Sequence, residues 1–383
     1  MSDQSLMPVS ELLRQPTELD GAGGILKISM PDGDIVYGVG VPQDWYSPTG
    51  PTWIYIVDHG SGLALMDAGS VLAQEYIEDA FKFLRMDISN VDRIVITHSH
   101  LDHDGGALGL SKISGGEVWA HDLYDHLRFV SFRQMNSNFH PMLWKTYKDA
   151  GPRRQMEEND RPDSDRHKKY DDLRKNLKLN RTVHDGEMAN GFTFFHTPGH
   201  TADELTIKFG SMFFTGDHVL PEISPHPTMK ASFQKSVLEL LPNKYSNVES
   251  FYGLETYVRS LARIAEYGDR AIIMPAHRLV NKGKINVMSA LRAQSIIDHH
   301  IQRVHKILTL MGNETMNLEN ITRKLFSHFQ LDGGSYQAAV SETFAHIELL
   351  IDSGDISIIE EEYASWNGTE NYIKLFKDHQ NNI

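Results

Sequence analysis

The chain has 383 residues, 40% of them hydrophobic, a formal net charge of −14 and no cysteine. That size and apolar content suffice for one large domain and a smaller one, whereas the acidic balance disfavours a protein that binds nucleic acid over a broad surface. We expect a cytoplasmic protein without a membrane partner, because disulfides are impossible, no stretch approaches the roughly 20 apolar residues of a membrane span, and the first residues lack the basic start and apolar core of a signal peptide.

Short apolar runs separated by turn residues predict strands in the first part of the chain. These predicted strands are residues 25–28, 35–39, 53–57 and 63–66. A helix is predicted at 71–86, where apolar residues recur at helical spacing. Strands and helices alternate up to residue 121 and again from about 183 to 280. This order predicts an α/β fold in which sheet packs on sheet with helices outside.

One run concentrates side chains that bind metals. His98, His100, Asp102 and His103 directly follow the apolar residues 94–96. A strand end followed by a tight turn can aim all four side chains at one point, and imidazole and carboxylate are ligands of zinc and similar divalent ions. Such close repetition suits two ions better than one. The alternative is a histidine-rich surface loop that binds no metal.

Four more apolar runs each lead to a residue that can bind or support a metal. These residues are Asp67 after 63–66, His200 after 192–195, Asp217 after 212–214 and His277 after 271–274. Buried strands give rigid support, and the Gly or Pro residues nearby supply turns that face a cleft. Five strand ends of one construction predict a shared rim, and therefore one site.

This ordered set resembles the metallo-β-lactamase superfamily. The family pattern is an early Asp, then His-x-His-x-Asp-His, a His and an Asp that each follow a Gly, and a late His; it lies here between about residues 20 and 285. The resemblance implies an αββα sandwich and two divalent metal ions. It places His98, His100 and His200 on the first ion, Asp102, His103 and His277 on the second, and Asp217 between both. Asp67 would accept an imidazole N–H and hold that ring in place.

Three departures from related patterns narrow the expected chemistry. The flavodiiron branch has Glu where this chain has His100, so oxygen reduction at a carboxylate-rich diiron site is not expected. The absence of cysteine excludes the branch that binds its second metal through a thiolate. Ala276 stands where the family usually has Gly, which places an extra methyl group beside His277.

Residues 121–182 do not read as part of a sandwich. They hold 14 basic and 10 acidic residues in an otherwise acidic chain, together with several aromatic side chains. Arg and aromatic side chains are typical of a segment that covers a ligand, so we expect a helical lid in which Arg153 and Arg154 bind substrate. The alternative is an ordinary helical insertion stabilised by its own charge pairs. His226, in a Pro-rich loop after Asp217, is a further candidate substrate contact.

The other histidines and Asp104 are expected to have structural or surface roles. Asp104 is expected to cap a helix that begins ahead of Gly105 and Gly106. The histidines in this class are His121, His126, His140, His167, His218, His299 and His300.

The chain is expected to divide into a catalytic domain at 1–285 and a C-terminal domain at 286–383. In the second domain, helices are predicted at 291–311, from 317 onward and at 335–353, and strands at 356–359 and 372–375. Three helices and a hairpin are the layout of a winged helix, and they resemble the C-terminal domain of the branch that holds hydroxyacylglutathione-hydrolase-like proteins, β-lactamase-like protein 2 and a mitochondrial endoribonuclease.

The third predicted helix argues against duplex nucleic acid as a partner. Residues 335–353 offer no Lys or Arg and carry Glu342, Glu348 and Asp352, which would repel phosphate. We therefore expect this domain to pack against the catalytic domain or to form a homodimer contact.

The resemblance implies a hydrolase in which a hydroxide bridging two metal ions attacks an electrophile, with Asp102 orienting it. Zinc is the expected metal, and manganese and iron also suit these ligands. The basic and aromatic segment 121–182 favours a small-molecule thioester, ester or lactone as substrate. The alternative is a phosphodiesterase or single-strand ribonuclease. A third reading is a mononuclear iron dioxygenase or a catalytically silent metal-binding protein.

Overall fold

A computed structural model describes residues 7–17, 21–44, 47, 49–130, 132–135, 140–149, 165–225, 229–327, 331 and 335–381. Its largest sheet has eight strands in chain order. They are β1 (Val9–Arg14), β2 (Ile25–Ser29), β3 (Ile35–Val41), β4 (Thr52–Asp58), β5 (Leu63–Met66), β6 (Val91–Val95), β7 (Glu117–His121) and β8 (Arg181–Val183). The pairs from β1 to β5 are antiparallel, and those from β5 to β8 are parallel.

The second sheet has six strands in the order β16-β13-β12-β11-β10-β9. Their bounds are β9 (Met188–Ala189), β10 (Phe192–His196), β11 (Leu205–Phe209), β12 (Met212–Phe214), β13 (Ile272–Met274) and β16 (Met288–Ser289). Only the β12–β13 pair among these is parallel. A short hairpin, β14 (Val280–Asn281) with β15 (Lys284–Ile285), lies beside it in the chain.

Helices connect and flank the sheets. The α-helices of this part are α1 (Ala73–Leu84), α2 (Leu101–Asp104), α3 (Ala107–Ser114), α4 (Tyr124–Leu127), α5 (Phe132–Met135), α6 (Pro141–Asp149), α7 (Asp165–Asn176), α8 (Lys235–Leu238) and α9 (Leu254–Ala265). Turns of 3-10 helix lie at Ile88–Asn90, Asn243–Tyr245, Val248–Phe251 and Gly268–Arg270. No helix within the described ranges has the length and apolar character needed to cross a bilayer.

The alternation of side chains along the strands builds a four-layer core. Along β12, Phe214 packs between the two sheets while Phe213 packs outward against α9, as the period of two requires. Along β4, Tyr55 faces the second sheet while Ile54 faces outward, toward the helical layer that includes Ile77 of α1. The predicted α/β arrangement, sheet on sheet with helices outside, is confirmed.

The segment predicted as an insertion is helical in its described parts, which include α4 to α7. Its ends belong to the sandwich instead, because β7 ends at His121 and the segment's last two residues begin β8. β8 pairs in parallel with β7, with Trp119 opposite Arg181. The insertion therefore leaves and re-enters the large sheet at neighbouring strands.

The described part of the C-terminal segment has four helices and a small sheet. Its elements are α10 (Leu291–Met311), β17 (Met316–Asn317), α11 (Leu318–Leu325), α12 (Ser335–Asp352), β18 (Ile356–Ile359), β19 (Tyr363–Trp366) and α13 (Tyr372–Asn381). The strands pair in the order β17-β19-β18. The winged-helix resemblance stays a prediction.

The expected strand at 372–375 is wrong, since these residues lie in α13 and the partner of β18 is β19. The Asp355 carboxylate accepts the backbone N–H groups of Asn371 and Tyr372 at 2.7 Å, which caps the start of a helix. Tyr372 and Phe376 are then buried four residues apart on one helical face.

Candidate metal centre

Seven His and Asp side chains that can bind a metal, called metal-type side chains below, meet because five segments end at one edge of the sandwich. They are His98, His100, Asp102, His103, His200, Asp217 and His277. β6 is buried up to Val95 and leads through Thr97 into α2, whose first turn carries His103. The backbone N–H of His103 donates to the carbonyl of His100 at 3.0 Å, which closes the turn. The side chains that the sequence singled out fall into two adjacent groups in which the ligand atoms lie within 4.8 Å of one another: His98, His100, His200 and Asp217 in one, and Asp102, His103 and His277 in the other.

In the first group, imidazole nitrogens face each other closely. His98 Nε2 and His200 Nε2 lie 3.0 and 3.1 Å from His100 Nδ1. Burial, and then the neighbouring imidazoles, lower the pKa of His98 well below its usual value. A neutral imidazole has the free electron pair that a metal ligand needs.

In the second group, Asp102 Oδ2 lies 3.2 Å from His277 Nε2 and 3.7 Å from His103 Nε2. Burial acts to raise the pKa of Asp102, but the charges of His103 and His277 hold it well below its usual range. Gln43 Nε2 and Thr52 Oγ1 also donate to Asp102 Oδ2, at 2.8 and 3.2 Å. The carboxylate is therefore kept ionised and oriented.

Asp217 lies between the two groups and directs one oxygen to each. Its Oδ2 is 3.5 Å from His200 Nε2, while its Oδ1 is 3.3 Å from His277 Nε2 and 3.7 Å from His103 Nε2. His103 Nε2 and Asp217 Oδ1 are buried, and within the described residues neither has a hydrogen-bond partner. Buried polar atoms without partners are costly, and a divalent ion in each group would satisfy them. The residues present therefore fit two metal ions.

Hydrogen bonds behind the rings fix their orientation. Asp67 accepts from His103 Nδ1 at 2.8 Å and from the backbone N–H of Thr97 at 2.8 Å. The carbonyl of Pro51 accepts from His277 Nδ1 at 3.0 Å. Such partners set which nitrogen of an imidazole is available to a metal.

Glu204 is a supporting residue that the sequence analysis missed. Its Oε2 lies 3.3 Å from His98 Nδ1, and its Oε1 accepts the backbone N–H of Asp217 at 3.2 Å. The side chain is fully buried, and burial raises its pKa well above the usual value. The signal in the sequence is an acid placed directly before Leu205, at the start of an apolar strand.

Asp104 does not cap a helix, and that expectation is wrong. Its buried carboxylate accepts from Tyr124 Oη at 2.8 Å and from Arg174 Nε and Nη2 at 2.8 and 3.1 Å. Arg174 also donates to the carbonyl of Ser99, within the His-rich loop. The helical backbone continues past Asp104 into Gly105, so the side chain points inward and not along a helix end.

Gly105 and Gly106 allow this loop to approach its supports. A Cβ atom on Gly105 would lie 2.3 Å from Tyr170 Cε1 of α7, and one on Gly106 would lie 2.3 Å from the carbonyl oxygen of Ala68. The Tyr170 hydroxyl accepts the backbone N–H of Val71 at 3.3 Å. α7 is therefore packed directly against the loop that carries the metal-type residues.

The expected substrate contacts Arg153, Arg154 and His226 lie outside the described residues. Among the histidines expected to be structural, His121 is buried and stacks on His196 with ring centroids 4.1 Å apart. His218, next to Asp217, is fully buried, and the Tyr257 hydroxyl donates to its carbonyl at 2.8 Å.

The sequence profile of the metallo-beta-lactamase superfamily matches residues 47–277, which is more than half of the chain and contains both groups. The chain belongs to this superfamily. It is thus an enzyme of the metallo-beta-lactamase superfamily, a superfamily of metal-dependent hydrolases, and its His/Asp cluster holds the candidate metal ligands.

Relatives of this metallo-beta-lactamase superfamily member agree with that assignment. It is 21% identical over 311 residues to the beta-lactamase-like protein 2 homolog of Drosophila melanogaster, covering 79% of this chain and 83% of the relative, so the expected resemblance to that protein is confirmed.

Two solved structures show the same fold. A metallo-beta-lactamase family protein from Thermus thermophilus superposes with a TM-score of 0.57 at 20% identity, covering 87% of this chain and 98% of that one. A beta-lactamase domain protein from Burkholderia ambifaria superposes with a TM-score of 0.62 at 17% identity, covering 91% and 95%. Both matches cover most of this chain.

Proposed function

We propose that the chain is a two-metal hydrolase that acts on a small-molecule thioester, ester or lactone. The observation that carries this proposal is the position of Asp217, whose two oxygens face different groups of ligands at 3.3 to 3.7 Å. A carboxylate so placed can bridge two ions. A site for a single ion has no use for a second complete group of ligands beyond the carboxylate.

The proposed ligands are His98, His100 and His200 for one ion, Asp102, His103 and His277 for the other, and Asp217 for both. Zinc suits these nitrogen and oxygen donors best, and manganese or iron would also fit. When bound, two such ions supply a water of lowered pKa and a Lewis acid for the substrate oxygen. Asp102, held by Gln43 and Thr52, orients the attacking water. Asp67 fixes the orientation of the His103 ring, and Glu204 fixes that of the His98 ring.

The loop between β3 and β4 supports a carbonyl group over a phosphodiester as the group that reacts at the metal centre. Next to Asp102 it presents the neutral groups of Gln43, Ser47 and Thr49, with Ser47 Oγ 2.7 Å from Thr49 Oγ1. It also carries Asp44, which accepts from the Tyr170 hydroxyl at 3.2 Å. A carboxylate in this position would repel a phosphate chain, whereas neutral hydroxyl and amide groups suit an uncharged ester.

The basic segment 121–182 would hold the remainder of the substrate. Arg153 and Arg154 are the proposed contacts to an anionic part of an acyl compound, and His226 is the third. Replacing both arginines with Ala should raise KM for an anionic thioester more than it lowers kcat, since these residues bind and do not react.

A panel of substrates tests the proposal. The Zn2+-loaded chain would be assayed with an acyl-coenzyme A thioester, an aryl ester, a lactone, bis(p-nitrophenyl) phosphate and single-stranded RNA. We expect turnover of at least one carbonyl substrate, loss of that turnover in Asp217→Ala, and full retention in Asp172→Asn, a control at an exposed carboxylate of α7.

Two outcomes would overturn it. Activity confined to the phosphodiester or RNA would establish the phosphodiesterase or ribonuclease alternative. One iron per chain with oxygen uptake would establish a dioxygenase. Circular dichroism of Asp217→Ala separates loss of the site from loss of the fold.

A further inference from the structure

A third group of side chains that can bind a metal lies in the C-terminal segment, where α10 packs against α12. It consists of His300 on α10 and of Glu342 and His346 on α12. Glu342 and His346 are four residues apart and so project from one face of their helix. One ligand atom from each residue lies within 4.8 Å of the other two.

The spacing within this group matches that in the main centre. His300 Nδ1 lies 3.0 Å from His346 Nε2, as His98 Nε2 lies 3.0 Å from His100 Nδ1. In both places two imidazole nitrogens approach to a distance at which only one can carry a hydrogen toward the other. The two nitrogens are therefore as close as in a hydrogen bond, and a cation bound by both would take the place of the shared hydrogen.

Hydrogen bonding prepares His346 as a ligand. Its Nδ1 donates to the carbonyl of Glu342 at 2.6 Å, which leaves the Nε2 electron pair directed at His300. This is how protein carbonyls orient imidazoles that bind metals. Burial lowers the pKa of His346 to about 3, so the ring is neutral at physiological pH.

His300 has a nitrogen without a partner. The side chain is buried. Its Nδ1 faces His346, whereas its Nε2 neither donates nor accepts a hydrogen bond within the described part of the chain. Burial, followed by the neighbouring His346, lowers the pKa of His300 well below its usual value. Glu342 adds a carboxylate whose pKa burial raises. Glu342 is partly exposed, which leaves a route for an ion to enter.

Two further positive or titratable groups face this group. Arg303 lies one turn beyond His299 on α10, and its positive charge acts to lower the pKa of Glu342. Its Nη2 lies 3.0 Å from His299 Nε2. Its guanidinium also stacks on Phe326 at 4.7 Å. Arg303 is thus held by His299 and Phe326.

We propose that His300, Glu342 and His346 bind one divalent ion, separate from the main centre. Two imidazoles and a carboxylate are a zinc ligand set, with water as the fourth ligand. Since the ligands come from two helices, binding would fix α10 against α12 and stabilise the C-terminal segment. This site does not depend on the reaction that the main centre catalyses.

Metal counting on the full chain tests the site. Metal-free protein would be loaded with Zn2+, freed of excess metal, and analysed for zinc. We expect His346→Ala and Glu342→Gln each to bind one ion fewer than the unmodified chain. His305→Ala, at an exposed histidine of α10, the helix that carries His300, should bind as many as the unmodified chain. Asp217→Ala should retain the C-terminal ion.

A second readout addresses variants that fold poorly. Zn2+ should raise the Tm of Asp217→Ala, and this rise should become smaller when Glu342→Gln is added. Gln keeps the size of the side chain, so the difference reports the lost ligand and not a packing defect. Equal zinc content in the unmodified chain, His346→Ala and Glu342→Gln would overturn the proposal. So would an unchanged Zn2+-dependent Tm rise in the double variant.

Discussion

At the scale of single residues, the metal-type side chains depend on carboxylates that lie behind them. Asp67 adopts a positive φ of 63°, a conformation that Asp and Asn tolerate better than most residues. This backbone turns its carboxylate toward Thr97 and His103, from which it accepts hydrogen bonds. Asp67 therefore links the end of β5 to the loop after β6.

Asp67→Asn should weaken metal binding without disturbing the backbone. Asn tolerates the same φ, but its amide carries no charge to stabilise the hydrogen on His103 Nδ1. Partners of this kind are worth about 10- to 100-fold in metal affinity. Competition with a chromophoric zinc chelator measures the loss. Asp58→Asn, at an exposed residue, should leave the affinity unchanged; equal affinities in both variants would contradict the role of Asp67.

The positions of the metal-type residues could be predicted from sequence because each follows an apolar strand with a Gly or Pro turn. Their partners could not. Gln43 and Thr52 reach Asp102 from 59 and 50 residues away, and nothing in their local sequence distinguishes them from other polar residues in loops and at strand ends. Glu204 has only its position before Leu205 as a signal, because the residue type does not show whether an acid is buried or exposed.

At the scale of elements, α7 supports the His-rich loop. The sequence leaves open whether residues 121–182 form a lid or an ordinary insertion. The described part has a third role, because it supports the loop that carries the metal-type residues. Arg174 ties α7 to Asp104 and Ser99, and its Nη1 donates to the carbonyl of Arg128 at 2.7 Å. One buried guanidinium thus connects the loop, α7 and the end of α4.

Arg174→Ala should destabilise the fold and weaken the metal centre together. It would remove the ion-pair partner of the buried Asp104 carboxylate, a loss of roughly 3–5 kcal/mol. Arg259→Ala breaks an exposed pair with Glu255 and should cost at most about 0.5 kcal/mol. Urea unfolding of both variants gives the two values. A loss in Arg174→Ala no larger than in Arg259→Ala would show that the pair does not support the loop.

The long helices α10 and α12 are easier to predict from sequence than the short helix α13 or the hairpin of β18 and β19. The bounds of α10 follow its apolar periodicity, and α12 ends one residue before the predicted end. The turn between β18 and β19 contains Glu360 and Glu361 at positive φ of 53° and 58°. Such turns normally carry Gly or Asn, so this hairpin has no local sequence signal, and the sequence favours residues 372–375 as the second strand instead of β19.

At the scale of the whole molecule, the C-terminal segment shares a core with the sandwich. Phe213 of β12 and Leu261 of α9 belong to the same buried cluster as Ile297 of α10 and Phe344 of α12. The residues on the two sides of the predicted boundary at residue 286 therefore share one core and do not form two independent cores.

Deleting residues 290–383 should expose this apolar cluster and cost solubility. Because α12 carries three acids and no Lys or Arg between 335 and 353, the deletion should not lower affinity for duplex DNA or RNA. Sedimentation and a salt series of binding assays measure the two effects. Salt-sensitive duplex binding that disappears on truncation would show that the segment binds nucleic acid.

Glu348 should make stability depend on pH. Burial raises the pKa of its carboxyl to about 7 from the usual value of 4.5. The folded chain therefore holds a proton there that the unfolded chain releases, so this contribution is full below about pH 4.5 and is lost as pH rises through about 7.

Glu348→Gln should remove that dependence. Gln can still accept the backbone N–H of Lys230, as Glu348 does at 3.0 Å. Its advantage over the unmodified chain should grow between pH 5 and 8 to roughly 3 kcal/mol, measured by urea unfolding at each pH. Glu266→Gln, at an exposed residue of α9's end, serves as control. Parallel pH profiles for Glu348→Gln and the unmodified chain would contradict the assignment.

The central claim is that Asp217 bridges two metal ions, and electron paramagnetic resonance of the Mn2+-loaded chain tests it most directly. Two ions at a shared carboxylate lie about 3.5–4 Å apart and give an exchange-coupled spectrum, which an isolated ion elsewhere in the chain cannot produce. We expect this coupled spectrum in the unmodified chain and in Asp172→Asn, and its loss in Asp217→Ala. Spectra of isolated Mn2+ alone, at every loading of the unmodified chain, would contradict the two-metal account.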